Sequence, residues 1–256
     1  MQVVILAGGY GTRLSEETEI RPKPMVEIGG KPIIWHIMKH YAHYGYTEFF
    51  LALGYKGEMI KQYFHEYLRL SGNMTIDMAS GNVTRSSTSR SDWKINLIDT
   101  GLDSNTGGRV HHLKKYLDAE PFMLTYGDGV CNVNLNQLEE FHQQNGKSAT
   151  LTAVRPPARF GGLVLDGNSV STFTEKPQIG EGWINGGFMV LENEVFNLLN
   201  SKEDVLEIDV LEKLADKGEL SAFKHPGFWQ CMDTLRDKRL LEKHWKEDSA
   251  PWKVWK

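Results

Sequence analysis

Short apolar segments alternate with segments of helical periodicity along this chain, and this alternation constrains its fold more than any other feature. Residues 3–7 form a continuous apolar run, as expected for a strand buried on both faces of a parallel sheet. In residues 32–44 the apolar side chains fall on one helical face, and residues 49–53 are the next strand-like run. Repeated β-α-β units of this length predict a parallel or mixed sheet with helices on both faces.

The alternation continues along the rest of the chain. Further helices are predicted at residues 59–68, 110–117, 135–144, 205–217 and 234–245. Further strands are predicted at residues 94–98, 122–126, 149–154, 188–191 and 221–224, with a hairpin formed by residues 163–165 and 170–174. The predicted fold class is therefore α/β and Rossmann-like, with a mixed, mainly parallel sheet flanked by helices and a smaller β-rich part.

Charge and cysteine usage exclude several classes of protein. The 29 Lys and Arg residues against 33 Asp and Glu residues leave a net charge of −4, which disfavours a general nucleic-acid binder but leaves room for a local anion pocket. Cys131 and Cys231 belong to no Cys-x-x-Cys unit, so a disulfide framework or a thiolate zinc site is not expected. No apolar run is long enough to span a membrane. We expect a cytoplasmic protein that binds neither nucleic-acid polymers nor membranes.

The segment Leu-Ala-Gly-Gly-Tyr-Gly-Thr-Arg-Leu, residues 6–14, directly follows the first predicted strand. Its three glycines let the backbone approach an anion closely, Thr12 adds a hydroxyl, and Arg13 adds a guanidinium fork that suits phosphate oxygens. A dinucleotide-binding fingerprint would need glycine where Leu14 stands, and the Gly-Lys-Ser/Thr of a Walker A loop is absent. The loop therefore predicts phosphate binding, but neither hydride transfer nor P-loop hydrolysis.

A lysine between two prolines follows this loop. In Arg-Pro-Lys-Pro-Met, residues 21–25, the prolines restrict the backbone to an extended form and present Lys23 rigidly near the phosphate loop. Together, the loop, Arg13 and Lys23 predict a site for a phosphorylated ligand.

These two strings resemble the signature of the sugar-1-phosphate nucleotidylyltransferases, and within that family the chain is most similar to the cytidylyl branch. Matching strings follow in the family's order across nearly the whole chain: Thr-Gly-Gly-Arg at 106–109, Tyr-Gly-Asp-Gly at 126–129, Arg-Phe-Gly at 159–161, Glu-Lys-Pro at 175–177, Ile-Asn-Gly-Gly-Phe at 184–188, His-Pro-Gly-Phe-Trp-Gln at 225–230 and Met-Asp-Thr at 232–234. The sequence departs from the family pattern at Asp209 and Val210, where the family has Glu and Pro.

The resemblance implies a nucleotide-diphospho-sugar transferase fold and transfer of a cytidylyl group from CTP to α-D-glucose 1-phosphate, with release of pyrophosphate. The pattern of predicted elements changes after Pro156-Pro157, which predicts a nucleotide-binding half at residues 1–155 and a sugar-phosphate-binding and C-terminal helical half at 156–256, packed as one compact domain. The resemblance further implies a symmetric homo-oligomer, of which a hexamer is one form. The expected partners are thus CTP, a sugar 1-phosphate and further copies of the chain.

The site residues that the resemblance implies fall into four groups. The expected catalytic residues are Arg13 on the β- and γ-phosphates, Lys23 on the α-phosphate and Lys176 on the sugar phosphate. The expected nucleotide-binding residues are Leu6, Ala7, Gly8, Gly9, Gly11, Thr12, Arg13, Lys23, Thr106 and Arg109. The expected sugar-phosphate-binding residues are Tyr126, Gly127, Glu175, Lys176, Asn185 and Gly186. The expected ligands of Mg²⁺ are Asp128 and Asp233, because hard oxygen donors suit this ion.

Simpler interpretations stay open for several of these residues. Asp128 could be a turn aspartate, and Asp233 could belong to the N-cap of the last helix. Arg109 could be a solvated residue at a helix start, and Glu175-Lys176 could be an exposed pair that closes a hairpin. The chain could also catalyse the same reaction with UTP or dTTP in place of CTP, or with another sugar 1-phosphate, or it could bind nucleotide sugars without turnover.

Three further features of the sequence lead to expectations outside the predicted site. His36, His40 and His43 lie on one side of a predicted helix, which favours a polar helix face over a metal site because no carboxylates accompany them. The segment 84–91 contains no apolar residue and is expected to be an exposed loop, a lid or a subunit contact. The tryptophans of the C-terminal segment are expected to pack onto the body of the protein or onto a neighbouring subunit.

Overall fold

The computed structural model describes residues 1–70, 72–86, 91–156, 162–166, 169–174 and 182–255. The strands within these ranges are β1 (Gln2–Ala7), β2 (Glu27–Ile28), β3 (Lys31–Pro32), β4 (Glu48–Leu53), β5 (Asn73–Ile76), β6 (Val83–Ser86), β7 (Lys94–Asp99), β8 (Phe122–Tyr126), β9 (Gly129–Cys131), β10 (Ala149–Val154), β11 (Gly162–Asp166), β12 (Ser169–Thr174), β13 (Ile184–Leu191), β14 (Leu220–His225) and β15 (Trp229–Cys231).

The α-helices are α1 (Ser15–Thr18), α2 (Ile33–His43), α3 (Gly57–Leu70), α4 (Thr106–Leu113), α5 (Leu135–Asn145), α6 (Lys213–Asp216) and α7 (Leu235–Lys246). Short 3₁₀ segments occupy Thr12–Leu14, Lys23–Met25 and Asn193–Leu198, and Leu206–Glu212 is a π-helix. The bounds of α2, α3, α5 and α7 differ from the prediction by at most two residues. The strands predicted for the central sheet and the hairpin of β11 and β12 are also confirmed.

Seven strands form the central sheet in the order β14-β10-β13-β8-β1-β4-β7. β1 pairs in parallel with both β4 and β8, β4 pairs in parallel with β7, and β10 pairs in parallel with β14. β13 runs antiparallel to its two neighbours, β8 and β10. The sheet is therefore mixed and mainly parallel, as the sequence predicts.

Successive side chains of β1 enter two different apolar cores. Val3 and Ile5 pack with residues of α2, α3 and α5 on one face of the sheet. Val4 and Leu6 pack with residues of α4 and of the 195–214 segment on the other face. Because side chains alternate across a strand, a continuous apolar run is what a strand covered on both faces requires.

The expectation of a polar histidine face on α2 is wrong for His36 and His40, whereas His43 is exposed. His36 and His40 are buried, and the indole rings of Trp245 and Trp252 lie 4.8 Å and 6.1 Å from the imidazole of His36, centroid to centroid. Burial lowers the pKa of His36 to about 4 and that of His40 to about 3, so both rings are neutral in the core. The C-terminal tryptophans thus pack onto the body of the protein, which is the first of the two packing arrangements expected for them.

Two predicted element boundaries are corrected. α4 begins at Thr106 rather than 110 and ends at Leu113 rather than 117. Gly107 and Gly108 allow its first turn to approach the backbone of residues 202–204 closely. The predicted helix at 205–217 divides into the π-helix Leu206–Glu212 and α6.

The expectation of a plain loop at 84–91 is wrong for its first three residues, which belong to β6 and pair with β5 in an antiparallel hairpin. Residues 87–90 lie outside the described residues. The division into halves at 155/156 stays a prediction, although strands from both sides of that position share the central sheet.

Gly108→Ala is expected to destabilise the protein. A Cβ at this position would lie 2.2 Å from the carbonyl oxygen of Lys202, and a backbone atom cannot move away as a flexible side chain would. We expect a loss of about 2 kcal/mol, or a Tm lower by roughly 4–8 °C, measured by differential scanning calorimetry. Gly182→Ala is the matched control, because its Cβ would meet nothing within 4 Å among the described residues. Equal Tm values for the two variants would contradict the close approach.

Candidate active site

The candidate active site lies where the strand order of the central sheet reverses. From β1 the chain builds the sheet outward through β4 and β7, then returns to place β8 on the other side of β1. In open α/β sheets ligands bind at such a point, beyond the carboxyl ends of the strands. A cavity of about 530 Å³ lies there, walled by the segments after β1, β7 and β8 and by the start of α4.

The segment after β1 has a backbone conformation that depends on glycine. Gly11 has a φ of +65°, and a Cβ there would lie 2.8 Å from Cγ2 of Thr18. A Cβ on Gly8 would lie 2.3 Å from a guanidinium nitrogen of Arg109. The loop can therefore follow this path along the cavity only without side chains at these two positions.

Arg109 is buried beneath this loop and joins the ends of three strands. Its Nη2 donates to the carbonyl oxygen of Gly8 at 3.0 Å, after β1, and to that of Leu102 at 3.1 Å. Its Nη1 donates to Leu53 at the end of β4 (3.1 Å) and to Gly101 after β7 (2.7 Å). A planar fork of donors suits this arrangement, which a lysine ammonium cannot reproduce. The interpretation of Arg109 as a solvated helix-start residue is wrong, since it is 4% exposed.

Lys23 lies between two carboxylates at the floor of the cavity. Its Nζ donates to Asp128 Oδ2 at 2.7 Å and to Asp233 Oδ1. Burial lowers the pKa of Lys23, but the charge of Asp128 and the hydrogen bonds to both carboxylates outweigh burial and raise the pKa to about 12. The ammonium is thus charged at neutral pH.

The local backbone conformation explains how the side chains of Lys23 and Asp233 come together. The Pro-Lys-Pro string forms one 3₁₀ turn, with Met25 N–H donating to the Pro22 carbonyl at 2.8 Å, so the expected extended form holds for Pro22 but not for Lys23. At the start of α7, Thr234 and Asp237 form the capping box. Because these two residues cap the helix, the carboxylate of Asp233 reaches Lys23 instead, and the interpretation of Asp233 as a capping residue is not needed.

A second cavity, of about 240 Å³, adjoins the first. Tyr126, Asp128 and Asp233 line both cavities, while Asn185 and Gly186 line the second. The antiparallel direction of β13 brings its amino end to the carboxyl ends of its neighbours. Trp229 on β15 donates from Nε1 to the Gly186 carbonyl at 2.8 Å and forms a further wall of the second cavity.

The structure brings together most of the predicted site residues. The first cavity is lined by Leu6, Ala7, Gly8, Gly9, Gly11, Thr12, Lys23, Thr106, Arg109, Tyr126, Gly127, Asp128 and Asp233. The second cavity adds Asn185 and Gly186. Glu175 and Lys176 lie outside the described residues, as does the side chain of Arg13.

Several residues that line the two cavities are not among the residues predicted from the sequence. Tyr10 on the phosphate loop donates to Asp103 Oδ1 at 2.9 Å and so joins two walls of the first cavity. Cys231 and Trp229 line the second cavity. Trp229 lies in the string 225–230 that carries the resemblance, and Cys231 lies between this string and the string 232–234, which contains the predicted metal ligand Asp233. The sequence predicts no role for either residue.

The donor set suits a divalent cation. Asp128, Cys231 and Asp233 each offer a ligand atom, and these atoms lie within 4.8 Å of one another. Two carboxylates are the hard oxygen donors that Mg²⁺ prefers, whereas a thiol suits softer ions. The Lys23 ammonium already lies between the carboxylates, which shows that this position attracts positive charge.

Fold and site together define a nucleotidyl transferase. The model of the nucleotidyl transferase family matches residues 2–244, and the chain belongs to this family.

Two relatives and one solved structure are similar to this chain over all or nearly all of its length. The chain is 49% identical to a glucose-1-phosphate cytidylyltransferase of Salmonella typhi over 256 residues, which cover all of both chains. It is 44% identical to a probable glucose-1-phosphate cytidylyltransferase of Bacillus subtilis (strain 168), again over the whole of both chains. The crystal structure of HddC from Yersinia pseudotuberculosis complexed with GMP-PN is similar with a TM-score of 0.69 at 25% identity, covering 95% of this chain and 99% of that chain.

None of the helices that the structure describes is both long enough and apolar enough to cross a bilayer.

Arg109→Lys is expected to weaken nucleotide binding. Lysine keeps the charge but cannot donate to Gly8, Leu53 and Gly101 together, so the phosphate loop loses its support. We expect the Kd for a nucleoside triphosphate, measured by isothermal titration calorimetry, to rise about tenfold or more. Arg239→Lys on α7 is the control and is expected to leave the Kd unchanged. An unchanged Kd in Arg109→Lys would show that the loop does not depend on the fork.

Proposed function

We propose that this chain transfers the cytidylyl group of CTP to α-D-glucose 1-phosphate, which yields CDP-glucose and pyrophosphate. The observation that carries the proposal is the convergence of the phosphate loop, Lys23 and two carboxylates in a cavity that opens into a second one. The choice of base and sugar rests on the names of the full-length relatives. We place the reaction in the cytoplasm.

The residues present suit attack of a phosphate oxygen on the α-phosphorus. A phosphate monoester has a second pKa of about 6, so it is largely dianionic at neutral pH and needs no general base. The barrier lies instead in bringing two anions together and in the charge that builds on the departing pyrophosphate. Lys23 at the cavity floor and the backbone N–H groups of the glycine loop are groups that lower this repulsion.

The proposed roles follow the position of each residue. The loop from Leu6 to Thr12, with Thr106 and Arg109 behind it, forms the nucleotide subsite, and Arg13 holds the β- and γ-phosphates. Tyr126, Gly127, Asn185 and Gly186 form the sugar-phosphate subsite with Glu175 and Lys176. The roles of Arg13, Glu175 and Lys176 rest on the sequence, because their side chains are not among the described ones.

Asp128 and Asp233 are the proposed ligands of Mg²⁺. When bound, Mg²⁺ supplies positive charge beside the phosphates and orients them. The Lys23 ammonium donates two of its three N–H groups to these carboxylates, which leaves one for a phosphate oxygen. Its charge lies between the carboxylates, where a metal ion would bind, so the ammonium and the metal compete for this position and the ammonium moves towards the α-phosphate when the metal binds.

Lys23→Met tests this exchange. Without the ammonium, two neighbouring carboxylates lose their compensating charge, so a divalent cation is expected to bind the nucleotide-free protein about tenfold more tightly or better. The measurement is Mn²⁺ binding by calorimetry or electron paramagnetic resonance, without nucleotide. Lys217→Met, at an exposed lysine after α6, is the control. Unchanged Mn²⁺ affinity in Lys23→Met would refute the idea that the ammonium competes with the metal.

A substrate matrix tests the reaction as a whole. Pyrophosphate release is measured with CTP, UTP, dTTP or ATP, each combined with several sugar 1-phosphates and Mg²⁺. We expect the highest kcat/KM for CTP with α-D-glucose 1-phosphate. Turnover with UTP or dTTP alone would refute the choice of base, and binding without any turnover would favour a nucleotide-sugar sensor.

Lys176→Ala tests the proposed contact with the sugar phosphate. Loss of a hydrogen bond between charged groups is expected to raise the KM for the sugar phosphate at least about tenfold, with little change in CTP affinity. Lys202→Ala, at an exposed lysine, is the control. An unchanged kcat/KM for the sugar phosphate would exclude this role.

A homo-oligomer is the proposed assembly, and the hairpin of β5 and β6 supports it. Met74, Ile76, Met78 and Val83 on and beside this hairpin are 41%, 52%, 87% and 48% exposed. A two-stranded hairpin is marginally stable alone, and contiguous exposed apolar side chains mark protein interfaces. A second copy of the chain would cover them, and a symmetric hexamer is one closed arrangement.

The double variant Ile76→Glu, Met78→Glu is expected to lower the oligomeric state, because it places charges in the apolar interface. Multi-angle light scattering after size-exclusion chromatography measures the mass directly. Leu240→Glu, on the exposed side of α7 at 37% exposure, is the control. An unchanged mass for the double variant would exclude this hairpin as the subunit contact.

A further inference from the structure

We propose that Glu207 is a positioning residue that orients one hydroxyl in each of the two subsites, Thr106 on the nucleotide side and Tyr126 on the sugar side. One carboxylate oxygen accepts the hydroxyl of Tyr126, and the other accepts the hydroxyl of Thr106 at 2.7 Å. Glu207 itself lines neither cavity. The proposal rests on the proposed function, because it assigns these subsites to a nucleotide and a sugar phosphate.

The hydroxyl of Thr106 is fixed from two sides. It donates to Glu207 and accepts the backbone N–H of Leu206 at 3.0 Å. Thr106 is the first residue of α4 and lines the first cavity. With its proton directed at the carboxylate, its orientation no longer depends on the ligand.

Tyr126 is fixed in a similar way. Its ring packs against the backbone of Gly187, where a Cβ would lie 2.5 Å from Cδ2 of the ring and where φ is +81°. Its hydroxyl donates to Glu207 and lies 3.5 Å from Nδ2 of Asn185, which also lines the second cavity. Burial, and then the charge of Glu207, raise the pKa of Tyr126, so the phenol keeps its proton.

The direction of these hydrogen bonds has a consequence for the substrate. Because the Tyr126 proton is committed to Glu207, the phenol oxygen can only accept further hydrogen bonds, as it does from the Asn185 amide at 3.5 Å. A sugar hydroxyl that contacts this oxygen must therefore donate. The carboxylate of Glu207, in turn, is separated from a polyanionic substrate by the two hydroxyls it holds, which reduces the repulsion that an exposed carboxylate would cause.

Glu207→Gln tests the proposal by equilibrium binding. A glutamine amide has one acceptor oxygen where the carboxylate has two, so it cannot accept from both hydroxyls at once. Calorimetric Kd values are measured for CTP, which occupies the nucleotide subsite, and for CDP-glucose, which also reaches the sugar subsite. We expect Glu207→Gln to weaken binding of both ligands about five- to tenfold, which is the net contribution of a typical intramolecular hydrogen bond.

Two further variants separate the two arms of the network. Tyr126→Phe keeps the ring on Gly187 and is expected to weaken CDP-glucose but not CTP, whereas Thr106→Val is expected to weaken both ligands. If Glu207 acts through these hydroxyls, then adding Glu207→Gln to the double variant Tyr126→Phe, Thr106→Val weakens neither ligand further. Full additivity of the effects would overturn the proposal.

Glu212→Gln is the matched control, since it removes an exposed carboxylate from the same helical segment. It is expected to leave both Kd values unchanged. A lower Tm for Glu207→Gln with unchanged Kd values would assign Glu207 a purely structural role and overturn the proposal. Failure of the unmodified chain to bind CTP or CDP-glucose would contradict the proposed function itself, and an absence of turnover with intact binding would contradict only the catalytic part of it.

Discussion

The guanidinium of Arg109 is the interaction on which the geometry of the site depends. β1, β4 and β7 are parallel neighbours, so their carboxyl ends present backbone carbonyl groups to the same region. The buried guanidinium donates hydrogen bonds to carbonyl groups at the ends of all three strands. The Cβ-free positions Gly8 and Gly54 let the guanidinium approach, since a Cβ at either would lie within 2.5 Å of it. The guanidinium of Arg109 therefore requires glycine at both positions.

Positive charge in the cavity is arranged differently at its two ends. The guanidinium of Arg109 donates to neutral backbone carbonyl groups, whereas the ammonium of Lys23 donates to two charged carboxylates. Carboxylates are also the groups that bind a divalent cation. An ion pair inside a protein offsets part of the cost of burying each partner. Because the positive charge of the described cavity lining is concentrated in Arg109 and Lys23, a chain with a net charge of −4 can still present a locally cationic surface there.

Local patterns predicted the parts of the structure that depend on neighbouring residues. The apolar runs predicted the strands because burial on both faces leaves no polar position, and the glycine and proline strings predicted the segments around the cavity. Contacts between distant residues could not be predicted in the same way. The burial of His36 depends on Trp245 and Trp252, more than two hundred residues away, and the start of α4 depends on the backbone near Lys202. Tyr10 and Asp103 likewise meet only in the folded chain.

The departures of this sequence from the family pattern lie in the same π-helical segment as Glu207. Asp209 accepts the backbone N–H of Val205 at 2.8 Å and the Lys213 ammonium at 3.1 Å, so its carboxylate stabilises the start of the segment. Val210 is fully buried in the apolar core beneath it. Neither residue lines either of the two cavities described above. Both departures are thus accommodated by capping and packing, and they hold in place the turn from which Glu207 reaches Thr106 and Tyr126 without altering the groups that line these cavities.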